Sequence, residues 1–70
     1  MNEDKLTGRQ RQVLVFLKKY IQENKQAASQ TEISKACDLR QGNVTKVLTA
    51  LEKKGCINYF RYETRGIELL

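Results

Sequence analysis

Apolar positions in the first third of the chain recur with a helical period. Val13, Phe16, Leu17, Tyr20 and Ile21 fall at i, i+3, i+4, i+7 and i+8, the spacing of one helix face. Leu14 widens that stripe, while Arg11, Lys18 and Lys19 fall on the polar side. Thr7-Gly8-Arg9-Gln10 precedes it as a capping box, in which Thr7 caps an early N–H and Gln10 reaches back. The pattern predicts a first helix over 8–24, then an aperiodic connector over 24–28. Ser29-Gln30-Thr31-Glu32 is a second capping box, and Ile33, Ala36 and Cys37 make a short stripe that stops at Asp38-Leu39. A brief second helix over 30–37 follows from it. Arg40-Gln41-Gly42-Asn43 is the next turn signal, and Val44, Val47, Leu48 and Leu51 restore the helical period for a third helix over about 41–54. Lys53 and Lys54 suit the negative end of the helix dipole, and Gly55 suits a left-handed stop. Beyond Gly55 the pattern changes: Cys56–Tyr62 is rich in β-branched and aromatic residues, 63–66 is polar with a terminal glycine, and 67–70 is apolar again. Two strands joined by about four residues predict a β-hairpin.

A short helix, a tight turn and a longer helix with one dry face form the helix-turn-helix arrangement. With the hairpin after it as a wing, the expected fold is α+β: a winged helix-turn-helix over 6–70, behind a flexible tail over 1–5. A two-stranded hairpin is marginal alone, so it must pack on the helices. Three of its aromatics are in question. Of Tyr59, Phe60 and Tyr62, the expectation is that two fill the core and one lies on the surface.

Composition narrows the function. The chain has 70 residues, no proline and no histidine, and is 40% hydrophobic and 30% charged, as expected of one small globular domain. No apolar run approaches the ~18 residues of a membrane span. The acidic opening Met1-Asn2-Glu3-Asp4 is unlike a secretory signal, so the expected compartment is the cytoplasm. Cys37 and Cys56 are too few and too far apart for a zinc site or a redox pair, and read as small buried hydrophobes. With no histidine and no serine beside a base, the sequence offers nothing for nucleophilic or general-base catalysis, and neither an enzyme nor a cofactor is expected. No small-molecule ligand is evident either.

The charge points elsewhere. The net charge is +5, and between Arg40 and Arg65 six basic residues (Arg40, Lys46, Lys53, Lys54, Arg61, Arg65) stand against two acids (Glu52, Glu63). Positive charge concentrated in this way is a footprint for nucleic acid, or more weakly for an anionic membrane surface. At 100° per residue, the face of the third helix opposite its apolar stripe holds Gly42, Lys46, Thr49 and Lys53, flanked by Asn43 and Thr45. Asparagine suits adenine, lysine suits guanine, and threonine bonds a base edge or touches a thymine methyl. Gly42 permits close backbone approach. Gln30 and Thr31, at the start of the second helix, face a phosphate in this reading, Arg40 and Gln41 hold the adjacent strand, and Arg61, Thr64 and Arg65 of the wing reach the backbone or minor groove. Arg61 has an alternative, pairing with Glu63 in solvent. The expected function is therefore sequence-specific binding of double-stranded DNA by a transcriptional regulator, with a homodimer on paired half-sites as the way to reach useful specificity. The alternative is a winged helix used for protein–protein contact, with the wing or the first helix as the docking surface and Tyr59, Phe60 and Tyr62 as candidates for an exposed apolar patch. RNA recognition is disfavoured because the reading face carries no aromatic for stacking.

Leu6-Thr7-Gly8-Arg9-Gln10, Glu32-Ile33, Leu48 with Ala50-Leu51, Lys54-Gly55-Cys56-Ile57 and Arg65-Gly66-Ile67-Glu68-Leu69-Leu70 together resemble the N-terminal DNA-binding domain of LexA-type repressors. The resemblance runs from Leu6 to Leu70, with about one residue fewer in the turn before the third helix. The run Leu51–Gly55 alone is shared with many winged-helix regulators, including the MarR type. The resemblance implies a repressor that reads an operator through the start of the third helix, here Arg40, Gly42, Asn43, Thr45 and Lys46. Thr45 and Lys46 replace the family's acidic pair, which implies a different operator sequence. Gln26-Ala27-Ala28 replaces a proline-containing connector. The resemblance does not extend to the self-cleaving peptidase domain, so neither cleavage nor damage sensing is implied.

Overall fold

The computed structural model describes residues 5–70, so the expected tail lies outside the described residues except at Lys5. Three helices, α1 (Gly8–Asn24), α2 (Gln30–Cys37) and α3 (Gln41–Lys53), precede two strands, β1 (Ile57–Tyr59) and β2 (Ile67–Leu69). Both capping boxes form. The Gln10 N–H donates to Thr7 Oγ1 at 3.2 Å while Gln10 Oε1 accepts from the Thr7 N–H at 3.2 Å. Likewise the Glu32 N–H donates to Ser29 Oγ at 3.2 Å and Glu32 Oε1 accepts from the Ser29 N–H at 2.8 Å. Each box satisfies N–H groups that a helix start leaves without intrahelical partners.

The helix ends are equally local. α3 stops as Gly55 turns left-handed (φ 78°), with Gly55 N donating to Glu52 O and Cys56 N to Leu51 O, both at 3.0 Å. That pair of bonds is a Schellman stop, and glycine takes its conformation without a side-chain clash. Asp38 does the same for α2 at φ 55°, where Leu39 N donates to Ser34 O at 2.9 Å.

The three helices and the hairpin enclose one core. Val13, Leu14 and Leu17 of α1 meet Ile33 and Cys37 of α2, Val44, Leu48 and Leu51 of α3, and Ile57, Tyr59 and Ile67 of the hairpin, with Ala28 filling the connector. Cys37 and Cys56 are buried free thiols, and burial pushes the Cys37 thiol above its ordinary pKa against the opposing effect of Arg9. Among the described residues no helix is long and apolar enough to cross a membrane.

The wing departs from expectation. β1 and β2 pair antiparallel as Ile57↔Leu69, Asn58↔Glu68 and Tyr59↔Ile67, and β1 ends three residues before the expected Tyr62. Phe60 N donates to Gly66 O at 2.6 Å, but its carbonyl turns inward to accept from Glu63 N at 3.1 Å, closing a β-turn over Phe60–Glu63. The ladder cannot continue past that turn. Gly66 permits it: a Cβ there would sit 2.2 Å from Phe60 O. The aromatic expectation is corrected accordingly. Tyr59 alone enters the core, while Phe60 is 49% exposed and Tyr62, at the turn, is fully exposed.

Candidate nucleic-acid interface

The buried stripe of α3 leaves the opposite side open. Arg40, Gln41, Gly42, Asn43, Lys46 and Lys53 are exposed, whereas Thr45 and Thr49 are half-buried at its edge. No hydrogen bond or ion pair among the described residues engages the side chains of Arg40, Asn43, Lys46 or Lys53. Around Gly42 the space is empty: a Cβ there would meet nothing within 4 Å. The two threonines are partly spent within the helix. Thr45 Oγ1 donates to Gln41 O at 3.3 Å and Thr49 Oγ1 donates to Thr45 O at 2.8 Å, so each hydroxyl remains chiefly an acceptor.

The starts of α2 and α3 lie side by side, joined by a long contact of 3.5 Å from Gln41 Nε2 to Thr31 Oγ1. Thr31 is exposed there. Gln30 is not open in the same way, because its amide donates to the Tyr59 hydroxyl beneath the wing. Ser29, Gln30 and Thr31 face Arg61, Tyr62, Glu63 and Thr64 across a cleft of about 260 Å³. Gln30, Thr31, Gln41 and Thr64 are thus gathered on one side of the molecule with the start of α3.

The two wing arginines have different surroundings. Arg61 leans onto α3: its Nη2 donates to Thr49 Oγ1 at 3.2 Å and lies 3.4 Å from Glu52 Oε1, and its guanidinium sits 4.8 Å from the Tyr59 ring centroid. Its partner is Glu52, not the Glu63 weighed from the sequence. The side chain remains 47% exposed, so it adds a cation to the flank of α3 rather than to a distant tip.

Arg65 folds back into the protein. Nη1 donates to Glu32 Oε1 at 2.7 Å and to Ala27 O at 2.7 Å, and Nη2 donates to Glu32 Oε2 at 3.3 Å. The Tyr20 hydroxyl donates to Glu32 Oε2 at 2.8 Å and lies 3.4 Å from Arg65 Nη1. Hydrogen bonds from Arg65, then from Ser29 N and Tyr20, hold the Glu32 carboxyl at a pKa of about 2. Such charge-assisted bonds fix geometry as well as charge. Arg65 therefore ties the wing to α1 and α2 and is not presented with the α3 face.

Several of these roles were not apparent from the residues alone. Glu32 shows only its capping-box role locally, and Tyr20 only its place on the α1 stripe. Glu52, which holds Arg61, carries no signal at sequence range, because its partner lies beyond α3 in the wing.

A family model described as the LexA DNA binding domain matches residues 3–66 of the chain. The LexA repressor of Actinobacillus succinogenes is 38% identical over 66 residues, covering 93% of this chain and 31% of that protein. The LexA repressor of Hahella chejuensis is 39% identical over 66 residues, covering 93% of this chain and 33% of that protein. The chain spans about a third of the length of these curated relatives.

Proposed function

Because the chain belongs to the LexA DNA binding domain family, we propose that it binds duplex DNA sequence-specifically, with the start of α3 in the major groove, and represses transcription by occupying a promoter. The observation that carries this reading is the open face of α3, where Arg40, Asn43, Lys46 and Lys53 carry no internal partners and Gly42 leaves the backbone bare. In this reading Asn43, Lys46 and the free lone pairs of Thr45 meet base edges. Arg40, Gln41, Thr31, Lys53 and Thr64 lie along the phosphates. Arg61, braced on Thr49 and Glu52, supplies a phosphate contact beside the helix. Gln30 and Arg65 hold the wing rather than the DNA.

One α3 covers few base pairs, so two copies on paired half-sites are proposed for operator binding. The domain works without catalysis, by occupancy alone, and in the compartment that holds the DNA, the cytoplasm. Repression is supported by the two relatives, which are repressors by name.

The test is fluorescence anisotropy with a mixed-sequence duplex across a salt series. Wild-type affinity should fall steeply with salt, reporting counterion release by several cations. Lys46→Glu, at an exposed position, should keep the wild-type melting curve and weaken binding at least tenfold. Wild-type affinity in Lys46→Glu would remove α3 as the reading element.

A further inference from the structure

Two aromatic rings are exposed on the wing, those of Phe60 and Tyr62. Phe60 lines a hollow of about 490 Å³ behind the hairpin, together with Ile21, Ile67 and Leu69. Tyr62, at the second central position of the Phe60–Glu63 turn, lies on the rim of the cleft between the wing and Ser29-Gln30-Thr31. It is fully exposed and borders the side on which α3 is open.

The surroundings of Tyr62 select its partner. Phe60 and Tyr62 share a hollow of about 430 Å³ with Tyr59, Arg61 and Glu63, but these few side chains fall far short of the ~800 Å² per side of a stable protein interface. On the side of α3, in the cleft against Ser29-Gln30-Thr31, the neighbours of Tyr62 are polar or charged: Ser29, Gln30, Thr31, Arg61, Glu63 and Thr64. A surface that matches one ring set among hydrogen-bonding groups is a nucleic-acid backbone, where sugar carbons alternate with phosphates. Glu63, next in the chain, opposes close approach of a phosphate, which leaves the uncharged sugar as the contact for the ring.

We propose that Tyr62 packs its ring on a deoxyribose of the strand bordering the groove occupied by α3, an uncharged contact next to the cationic one of Arg61. The proposal rests on the DNA-binding reading above. Burying roughly 50 Å² of ring surface corresponds to about a tenfold gain in affinity. That gain carries no counterion release, so it is independent of salt.

The experiment compares wild type, Tyr62→Ala and Tyr62→Phe on one mixed-sequence duplex across the same salt series. A sugar is the same in every sequence, so no operator is required. Tyr62→Ala should bind about tenfold more weakly at every salt concentration, on a line parallel to wild type, and Tyr62→Phe should bind as wild type. All three should melt alike, since the side chain lies outside the core. Equal binding by wild type and Tyr62→Ala overturns the proposal and leaves the DNA-binding reading intact. A loss with a shallower salt slope, or an equal loss in Tyr62→Phe, overturns it too, by assigning the effect to displaced cations or to the hydroxyl. Absence of wild-type binding overturns both readings together.

Discussion

The helix-turn-helix and the wing are held by contacts of different range. Thr7 with Gln10 and Ser29 with Glu32 close their capping boxes across three residues, and the α3 stop at Gly55 is as local. The wing instead depends on Gln30 with Tyr59, 29 residues apart, and on Arg65 with Glu32 and Ala27, 33 and 38 residues apart. Local contacts cost little chain entropy to close, whereas distant ones form only once the intervening chain is ordered. The wing is therefore a dependent structure: its placement presupposes α1 and α2, while their caps do not presuppose the wing.

Gly66→Ala should break that contrast most forcefully. The new Cβ would lie 2.2 Å from Phe60 O, and relieving it should cost about 2–3 kcal/mol, or roughly 10–20 °C in Tm for a domain of this size. Amide exchange should quicken across 57–69 while both caps stay protected. Exchange that quickens equally in α1 would show that wing and helices are one unit. A smaller effect sharpens the contrast. Thr7→Ala and Ser29→Ala each remove one cap bond at about 1 kcal/mol, but only Ser29 adjoins the carboxylate that holds the wing. Exchange at the Phe60 N–H should therefore quicken in Ser29→Ala and not in Thr7→Ala; equal exchange in both would contradict the dependence.

The smallest effect is acid sensitivity. The Glu32 pKa is lowered from 4.5 to about 2, so its contribution to stability is complete above the unfolded value and is lost as pH falls through the folded one. Carboxyl titration followed by NMR should place Glu32 lowest among the glutamates in wild type and return it upward in Arg65→Gln. The stability difference between the two proteins should shrink between pH 4.5 and 2. A constant difference across that window would mean that the ion pair is not what holds Arg65.

The same distinction explains what the residues reveal in advance. The starts of α1 and α2 follow from Thr7, Gln10, Ser29 and Glu32, which act on their own neighbours, and both helices begin and end where the pattern places them. β1 does not. Phe60, Arg61 and Tyr62 have good strand character, yet the turn to Glu63 and the close approach at Gly66 end the ladder at Tyr59. The α3 face was legible because 100° per residue separates wet from dry positions. The different fates of Arg61 and Arg65 were not, since neither Glu52 nor Glu32 is near its arginine in sequence.

Glu32 accepts from Ser29 N, Tyr20 Oη and both terminal nitrogens of Arg65. Glutamine would turn half of that acceptor set into donors, and aspartate would fall a methylene short. Three elements thus share one irreplaceable position. Substitutions at Tyr20, Ser29 and Arg65 should be strongly epistatic with it: each is tolerated or not according to what occupies position 32. Drift in this domain is then channelled away from the joint between helices and wing, and towards the open face of α3, where side chains without internal partners can change one at a time.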